Sequence, residues 1–303
     1  MKSRWIAALA LMACAAAPVP PPVVGNGGTC KFGAARAGKV LGDADLVELS
    51  GLVASRAHPG VLYAHNDSGD TARFFAMDTE AQALGRFELA GASANDWEDM
   101  TLGPCPSGTC VFLGDIGDNR KVRNDYAIYR VPEPTVEVGK PVGTVKVTFE
   151  RFPFAYPGGE KFNAETLFAH PVTGELYIVN KQSAGELSLV FKFPMPMDST
   201  TTATLIKVAE LPVPGPQDQS ITGGALHPQG NALLLRMYNR LVELKLPAGA
   251  PFEQIFSAKP VTVPVSAEQQ GEAVAWRHDG RGYFTASEEV GVKPTLNRVE
   301  CLP

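Results

Sequence analysis

The chain reads as an all-β fold, a β-propeller of five four-stranded blades whose ring is closed by an N-terminal strand. Two observations predict it. A repeat recurs with a period near 50 residues, and short runs of Val, Phe, Tyr and Leu are bounded by Gly, Pro and Asp. The first two copies align without a gap at an offset of 48 residues, with Ser50 on Glu98, Gly60 on Gly108, Asp67 on Asp115, Gly69 on Gly117 and Asp70 on Asp118. Looser copies begin at Glu165, Thr222 and Glu272.

The second repeat predicts strands at 98–103, 109–114, 126–131 and 144–152. The third gives 165–169, 175–180, 188–193 and 204–211, and the fourth 221–226, 231–236, 240–245 and 259–264. The fifth supplies only 272–276, 281–286 and 296–301, so its outer strand is expected from the N-terminus, around 37–48. A sixth blade between 98 and 165 is an alternative, although 67 residues are short of the roughly 80–90 that two blades need. A β-sandwich should not show this repeat.

The ends carry a different message. Lys2 and Arg4 precede an apolar stretch from Trp5 to Met12, the pattern of a secretory signal too short to span a membrane. It ends Leu11-Met12-Ala13-Cys14, which resembles a bacterial lipobox. Residues 1–14 are therefore expected to be a lipoprotein signal peptide, with Cys14 as the lipidated terminus; cleavage after an Ala near 15–17 is the alternative. Residues 15–35, rich in Pro and Gly, are expected to be an extended tether, and 36–303 the propeller.

Export permits disulfides. Setting Cys14 aside leaves four cysteines. Cys105 and Cys110 flank a tight turn and are expected to pair locally, which leaves Cys30 to pair with Cys301 and join the ends of the ring. The formal charge is −5, and becomes −7 without Lys2 and Arg4; with no basic stripe, nucleic acid is excluded as a partner.

In a propeller the first strand of each blade lines the channel, so the turns sort by face. His58, His170, His227 and His278 recur in the first turn of four blades, on the bottom face, where each serves a turn beside Pro or Gly rather than a shared zinc site. Only His65 falls near the top. The acids sort the other way. Asp96, Glu98, Asp99, Glu165 and Glu272 stand at the top entrances of inner strands; Asp67, Asp70, Asp115, Asp118, Asn119 and Glu288 occupy top-face loops, and Lys181 and Arg236 end strands there. Turn preference accounts for Asp67 and Asp70. It does not account for Glu98, Glu165 and Glu272, whose carboxylates need cations or donors if desolvated. Either a hard cation such as Ca²⁺ is held by several oxygens, with Asp67, Asp70, Asp96, Asp99, Asp115, Asp118 and Asn119 as candidate ligands, or Lys181 and Arg236 neutralise the glutamates and form a mixed-charge pocket for a polar ligand. No Gly-x-Ser-x-Gly elbow, Walker loop or His-Glu-x-x-His occurs.

Five motifs occur in order: Asn95-Asp96-Trp97-Glu98-Asp99-Met100, Gly114-Asp115-Ile116-Gly117-Asp118-Asn119, Tyr129-Arg130-Val131-Pro132-Glu133-Pro134, Asn163-Ala164-Glu165-Thr166-Leu167 and Gln270-Gly271-Glu272-Ala273-Val274. They resemble a widespread group of bacterial secreted or lipid-anchored β-propeller proteins that lack an established activity, over most of residues 48–300. More distantly, the chain is similar to phytase-related, esterase-like propellers, which implies Ca²⁺ and top-face carboxylates binding phosphate esters. At Ile221-Thr222-Gly223-Gly224 the chain departs from the group, which has an Asp after the Gly, so blade four brings one top-face acid fewer.

Three functions are therefore expected to compete. The first is an exported, membrane-tethered propeller, anchored in the bacterial cell envelope through Cys14, that binds a polar small molecule or protein partner with Glu98, Glu165, Glu272, Lys181 and Arg236. The second is a Ca²⁺-dependent phosphoesterase or lactonase using the same face. The third is a structural envelope protein.

Overall fold

The computed structural model describes residues 30–106, 108–182, 186–211, 220–288 and 293–303. The expected signal peptide, Cys14 and most of the tether lie outside the described residues.

Five antiparallel blades form the ring. Blade one comprises β2 (Leu49–Ala54), β3 (Val61–Asn66), β4 (Arg73–Asp78) and β5 (Ala83–Glu88). Blade two comprises β6 (Trp97–Cys105), β7 (Gly108–Asp115), β8 (Ala127–Pro132) and β10 (Glu150–Ala155). Blade three comprises β11 (Ala164–Ala169), β12 (Leu176–Asn180), β13 (Ser188–Lys192) and β15 (Ile206–Leu211). Blade four comprises β16 (Ile221–Leu226), β17 (Ala232–Met237), β18 (Arg240–Lys245) and β19 (Val261–Val263). Blade five comprises β20 (Gly271–Trp276), β21 (Gly282–Ser287) and β22 (Thr295–Glu300), and its outer strand is β1 (Arg36–Val40), the N-terminal strand expected there. The inner strands β2, β6, β11, β16 and β20 contact one another in ring order, and β20 closes on β2.

Each gap between blades has its own apolar core. Tyr63, Phe74, Phe87, Trp97 and Tyr129 fill the gap between blades one and two, and Phe112, Tyr126, Phe154, Tyr156 and Phe191 that between two and three. Phe168, Tyr177, Leu233 and Phe256 join blades three and four, Leu234, Trp276 and Tyr283 join four and five, and Leu52, Phe75, Ala273 and Phe284 close five on one. At roughly 1.5–3 kcal/mol per fully buried large apolar side chain, these interfaces dominate the stability of the ring.

Two features differ from expectation. The run 144–152 is divided between two blades. β9 (Thr144–Lys146) adds in parallel to β5 of blade one, and only β10 completes blade two, so the long interval after residue 98 is spent on lacing rather than on a sixth blade. A short β14 (Ala203–Thr204) likewise adds in parallel to β10. The segment 30–35, grouped with the tether, is docked: Phe32 meets Tyr283 edge-on at 5.0 Å, and Gly33 N–H donates to Glu300 O at 2.8 Å. Disulfides Cys30–Cys301 and Cys105–Cys110 staple the ring closure and the first hairpin of blade two. Among the described residues no helix is long and apolar enough to cross a membrane.

Candidate functional site

Every inner strand carries a β-bulge at the same place. Pairing jumps from Leu49 to Gly51, Trp97 to Asp99, Ala164 to Thr166, Ile221 to Gly223 and Gly271 to Ala273, each against consecutive residues of the next strand. The extra residues are Ser50, Glu98, Glu165, Thr222 and Glu272, the same positions that begin the sequence repeats. A bulge takes one residue off the ladder and re-aims its side chain, so the ring presents three glutamates and two hydroxyls at its top mouth. The hydroxyls are spent between blades. Ser50 Oγ donates to Glu98 O, and Thr222 Oγ1 donates to Gly271 O at 2.7 Å. Gly223 permits the second contact, because a Cβ there would collide with Glu272 O. Glu98, Glu165 and Glu272 instead turn to the mouth, each about 5 % exposed or less.

Two loop acids join them. Asp67, Asp96 and Glu98 each offer a carboxylate oxygen, and these oxygens lie within 4.8 Å of one another. The crowding shows in their titration. Burial, and then Glu165, Asp67, Asp96 and Glu272, hold the Glu98 carboxyl well above the usual range. Burial and the charges of Glu288, Asp96 and Glu165 push Asp67 up to about 7, and burial with Glu165 and Glu288 pushes Glu272 up to about 10. Burial raises Asp96, an effect that Arg123 opposes. Among the described residues, Glu165 Oε2 and Glu272 Oε2 are buried without a hydrogen-bond partner. Gly117 packs against the cluster, where a Cβ would fall 2.5 Å from Asp96 Oδ2 and inside the contact radius of Glu98 Oε1.

Of the two predicted cations, Lys181 reaches the mouth. Its Nζ donates to Glu165 Oε1 at 2.6 Å and to the Tyr238 hydroxyl at 2.8 Å, and it lies 4.9 Å from the Tyr238 ring centroid. Despite the cost of burial, Glu165 and Tyr238 raise the Lys181 ammonium above its ordinary value, so it remains charged. Arg236 is fully buried and spends its ion pair on Glu268 at 2.7 Å, not on the mouth glutamates.

The remaining predicted acids anchor loops. Asp70 pairs with Arg73 at 2.8 Å and accepts from Asn66 Nδ2 at 2.7 Å. Asp99 accepts the N–H groups of Met100 at 2.8 Å and, across the blade boundary, of Leu167 at 2.9 Å. Asp115 accepts the Asp96 N–H at 3.0 Å and pairs with Arg123 at 2.6 Å, which fixes Asp96 at the mouth. Asp118 gathers Val122 N–H, Arg123 N–H and the Tyr126 hydroxyl at 3.0, 2.8 and 2.6 Å. The exposed Asn119 accepts from Asn163 Nδ2 at 3.2 Å.

Tyr238, Asn163, Gln270, Arg123 and Glu268 were missed. Asn163 Nδ2 donates to Glu165 Oε1 at 3.1 Å, and Gln270 Nε2 donates to Glu288 Oε2 at 2.6 Å. A signal for these two exists in the repeat, since Asp96, Asn163 and Gln270 each stand two residues before a bulge glutamate. His65 is fully buried; its Nδ1–H donates to Asn66 O at 2.7 Å, and burial lowers its pKa. Of the bottom-face histidines, His170 serves its own turn, while His227 and His278 tie theirs to the neighbouring blade. His170 Nδ1 accepts Thr173 N–H at 3.1 Å, His227 Nε2–H donates to Gly280 O at 3.2 Å, and His278 Nδ1–H donates to Ser55 O at 3.0 Å.

No family model and no curated protein matches the chain. Solved structures similar to it include a putative 6-phosphogluconolactonase from Bacteroides uniformis (14% identity, 82% of this chain and 66% of that one, TM-score 0.38). The major Malassezia sympodialis allergen Mala s 1 is another (12%, 84% and 93%, 0.49), and the Dos1 propeller a third (12%, 79% and 53%, 0.36). The chain thus spans less than two thirds of the length of the first and third. The propeller assignment rests on the chain's own strand order.

Proposed function

We propose that this chain is an exported, membrane-tethered propeller that holds a hard divalent cation such as Ca²⁺ in its top mouth and through it binds a polar, anionic ligand. The convergence of Asp67, Asp96 and Glu98 carries this reading. Oxygen-only donors suit Ca²⁺, and the donor set fits on a second count: the cluster is over-supplied with negative charge, and two further carboxylate oxygens, on Glu165 and Glu272, lack partners among the described residues. Asp67, Asp96 and Glu98 would hold the ion; Lys181, whose ammonium has a third proton beyond those given to Glu165 and Tyr238, would meet the anionic group of the ligand. Two disulfides fit an oxidising compartment, which supports export; the anchor at Cys14 rests on the lipobox-like Leu11-Met12-Ala13-Cys14 alone.

The test is elemental analysis of the purified protein together with thermal melts in Ca²⁺ and in chelator. Bound metal near one equivalent, a Ca²⁺-dependent rise in Tm, and loss of both in Glu98→Gln are expected. A metal-free protein whose Tm ignores Ca²⁺ would sink the reading.

One observation favours a second reading, metal-assisted hydrolysis of an anionic ester or lactone. The Glu272 carboxyl hydrogen-bonds with Glu288 and keeps its proton at neutral pH, as a general acid must. A bound cation would supply charge neutralisation and Lewis acidity. Turnover of phosphate-ester or lactone substrates that requires Ca²⁺ and is abolished in Glu272→Gln is the expected result; binding without turnover returns the site to the first reading.

A further inference from the structure

One loop on the rim of the mouth breaks the repeat. By the 48-residue offset from Arg73, the third strand of blade two should begin at residue 121; it begins at Ala127. The longer loop brings three cations, Arg120, Lys121 and Arg123, into a chain whose net charge is −5. They follow directly on Gly117 and Asp118, and Gly117 is the residue packed on Asp96 and Glu98.

The loop is tightly bonded. The Asp118 carboxylate accepts the N–H groups of Val122 at 3.0 Å and Arg123 at 2.8 Å, and its carbonyl accepts that of Lys121 at 2.9 Å. Such a turn keeps the Lys121 Cα within about 11 Å of Gly117. Lys121 is held there at φ 54°, in the left-handed region that a residue with a Cβ enters at a cost. Arg123 is spent inside the loop, on Asp115 at 2.6 Å, Asp125 at 3.0 Å and Gly117 O at 2.6 Å. Arg120 and Lys121 are exposed, and among the described residues neither side chain makes a hydrogen bond or an ion pair. Beside them Lys161 donates to Asn124 Oδ1, a neutral acceptor, and pairs with no carboxylate among the described residues. Three cations thus stand on the rim of an acidic mouth, and such a patch draws in anions that the mouth alone would repel. Lys181 has one proton left to give, and Lys121 is a point charge; each suits the single charge of a carboxylate.

We propose that Arg120 and Lys121 hold a second anionic group of the ligand, so that the mouth takes a linear oligoanion with one charge per unit, such as a chain of uronic acids. This rests on the cation reading above. One unit sits against the cation and Lys181, and a later unit against the rim loop; engaging both at once raises affinity with chain length. Calorimetric titration of the full-length protein in Ca²⁺ tests this with galacturonate, trigalacturonate and neutral maltotriose. Trigalacturonate should bind at least about tenfold tighter than galacturonate, and maltotriose should not bind. Replacing Arg120 with Ser and Lys121 with Gly, which accepts the left-handed backbone without strain, should cut that gain to about threefold or less. Thermal melts separate this proposal from the reading beneath it. A Tm that ignores Ca²⁺ sinks both. With the Ca²⁺-dependent rise present, four results overturn this proposal alone: neither uronate binds, the trimer binds no tighter than the monomer, maltotriose binds as tightly as the trimer, or the gain survives Arg120→Ser with Lys121→Gly.

Discussion

Gly117 packs so closely on Glu98 that a methyl group at its Cα would occupy the space of Glu98 Oε1, and it would also press on Asp96. Both obstacles are the ends of side chains, not backbone, so Gly117→Ala should fold. Its cost should fall on the carboxylate cluster, which must open. The expected result is a metal-free Tm within about 3 °C of the parent, with the Ca²⁺-dependent rise in Tm cut by more than half. A variant that keeps the full rise would show that the ion does not sit between Asp96 and Glu98.

Lys181 is the one cation bonded directly to the mouth carboxylates among the described residues, and its partner Glu165 is 4 % exposed. Removing one member of a buried pair leaves the other charge stranded. Lys181→Met should therefore lose about 2–4 kcal/mol in urea unfolding, and adding Glu165→Gln should restore more than half of that. Tyr238→Phe removes only the hydroxyl that Lys181 contacts, and should cost about 1 kcal/mol. Equal losses in Lys181→Met with and without Glu165→Gln would show that the two residues are not coupled.

The blade plan was legible because a propeller writes one unit repeatedly: the starts at 50, 98, 165, 222 and 272 coincide with the five bulges. The roles of neighbouring acids were not. Glu98 and Asp99 are equivalent by composition, but the bulge re-aims Glu98 to the mouth while Asp99 caps an N–H of the next blade. Arg236 ends a top-face strand as Lys181 follows one, yet it is claimed by Glu268, which lies 32 residues away in sequence and outside the repeat motif. The partner of an edge strand is equally invisible, since the alternating run 144–152 reads the same whether it serves one blade or two.

The two disulfides should differ in value. Cys30–Cys301 spans 271 residues and fastens the strand pair that closes the ring, whereas Cys105–Cys110 spans 5 within one hairpin. Constraint of the unfolded chain grows with loop length. Replacing Cys30 and Cys301 with Ser should cost about 3–5 kcal/mol, and replacing Cys105 and Cys110 about 2 kcal/mol or less. Chemical denaturation of the two double variants decides the ranking; a larger loss for the hairpin pair would contradict the ring-closure role of Cys30–Cys301.

The mouth should also make the metal-free protein sensitive to pH in one direction. Folded Asp67 titrates at about 7 and Glu272 at about 10, while in the unfolded chain both titrate near 4. A carboxyl raised on folding favours the fold while protonated; that contribution is complete below its unfolded pKa and is lost as pH rises through its folded one. Glu98 and Glu165 are raised as well and add to the same slope. Asp43 and Asp118 are lowered, so the stability they contribute is lost only in acid, below about pH 4. His65, His170 and His227 are lowered by burial, so they add stability as pH rises to about 6.5 and oppose the carboxyls there. Between pH 6.5 and pH 8 the raised carboxyls govern, and the metal-free Tm should fall by roughly 4 °C or more. Ca²⁺ favours the ionised carboxylates and should flatten or reverse that fall. Asp67→Asn, which removes the group titrating inside the window, should lessen the fall without metal, and Glu272→Gln should lessen it further. Melts from pH 5 to pH 8 in chelator and in Ca²⁺ measure all of this, and a metal-free Tm that rises from pH 6.5 to pH 8 would refute the crowding of charge at Asp67, Glu98 and Glu272.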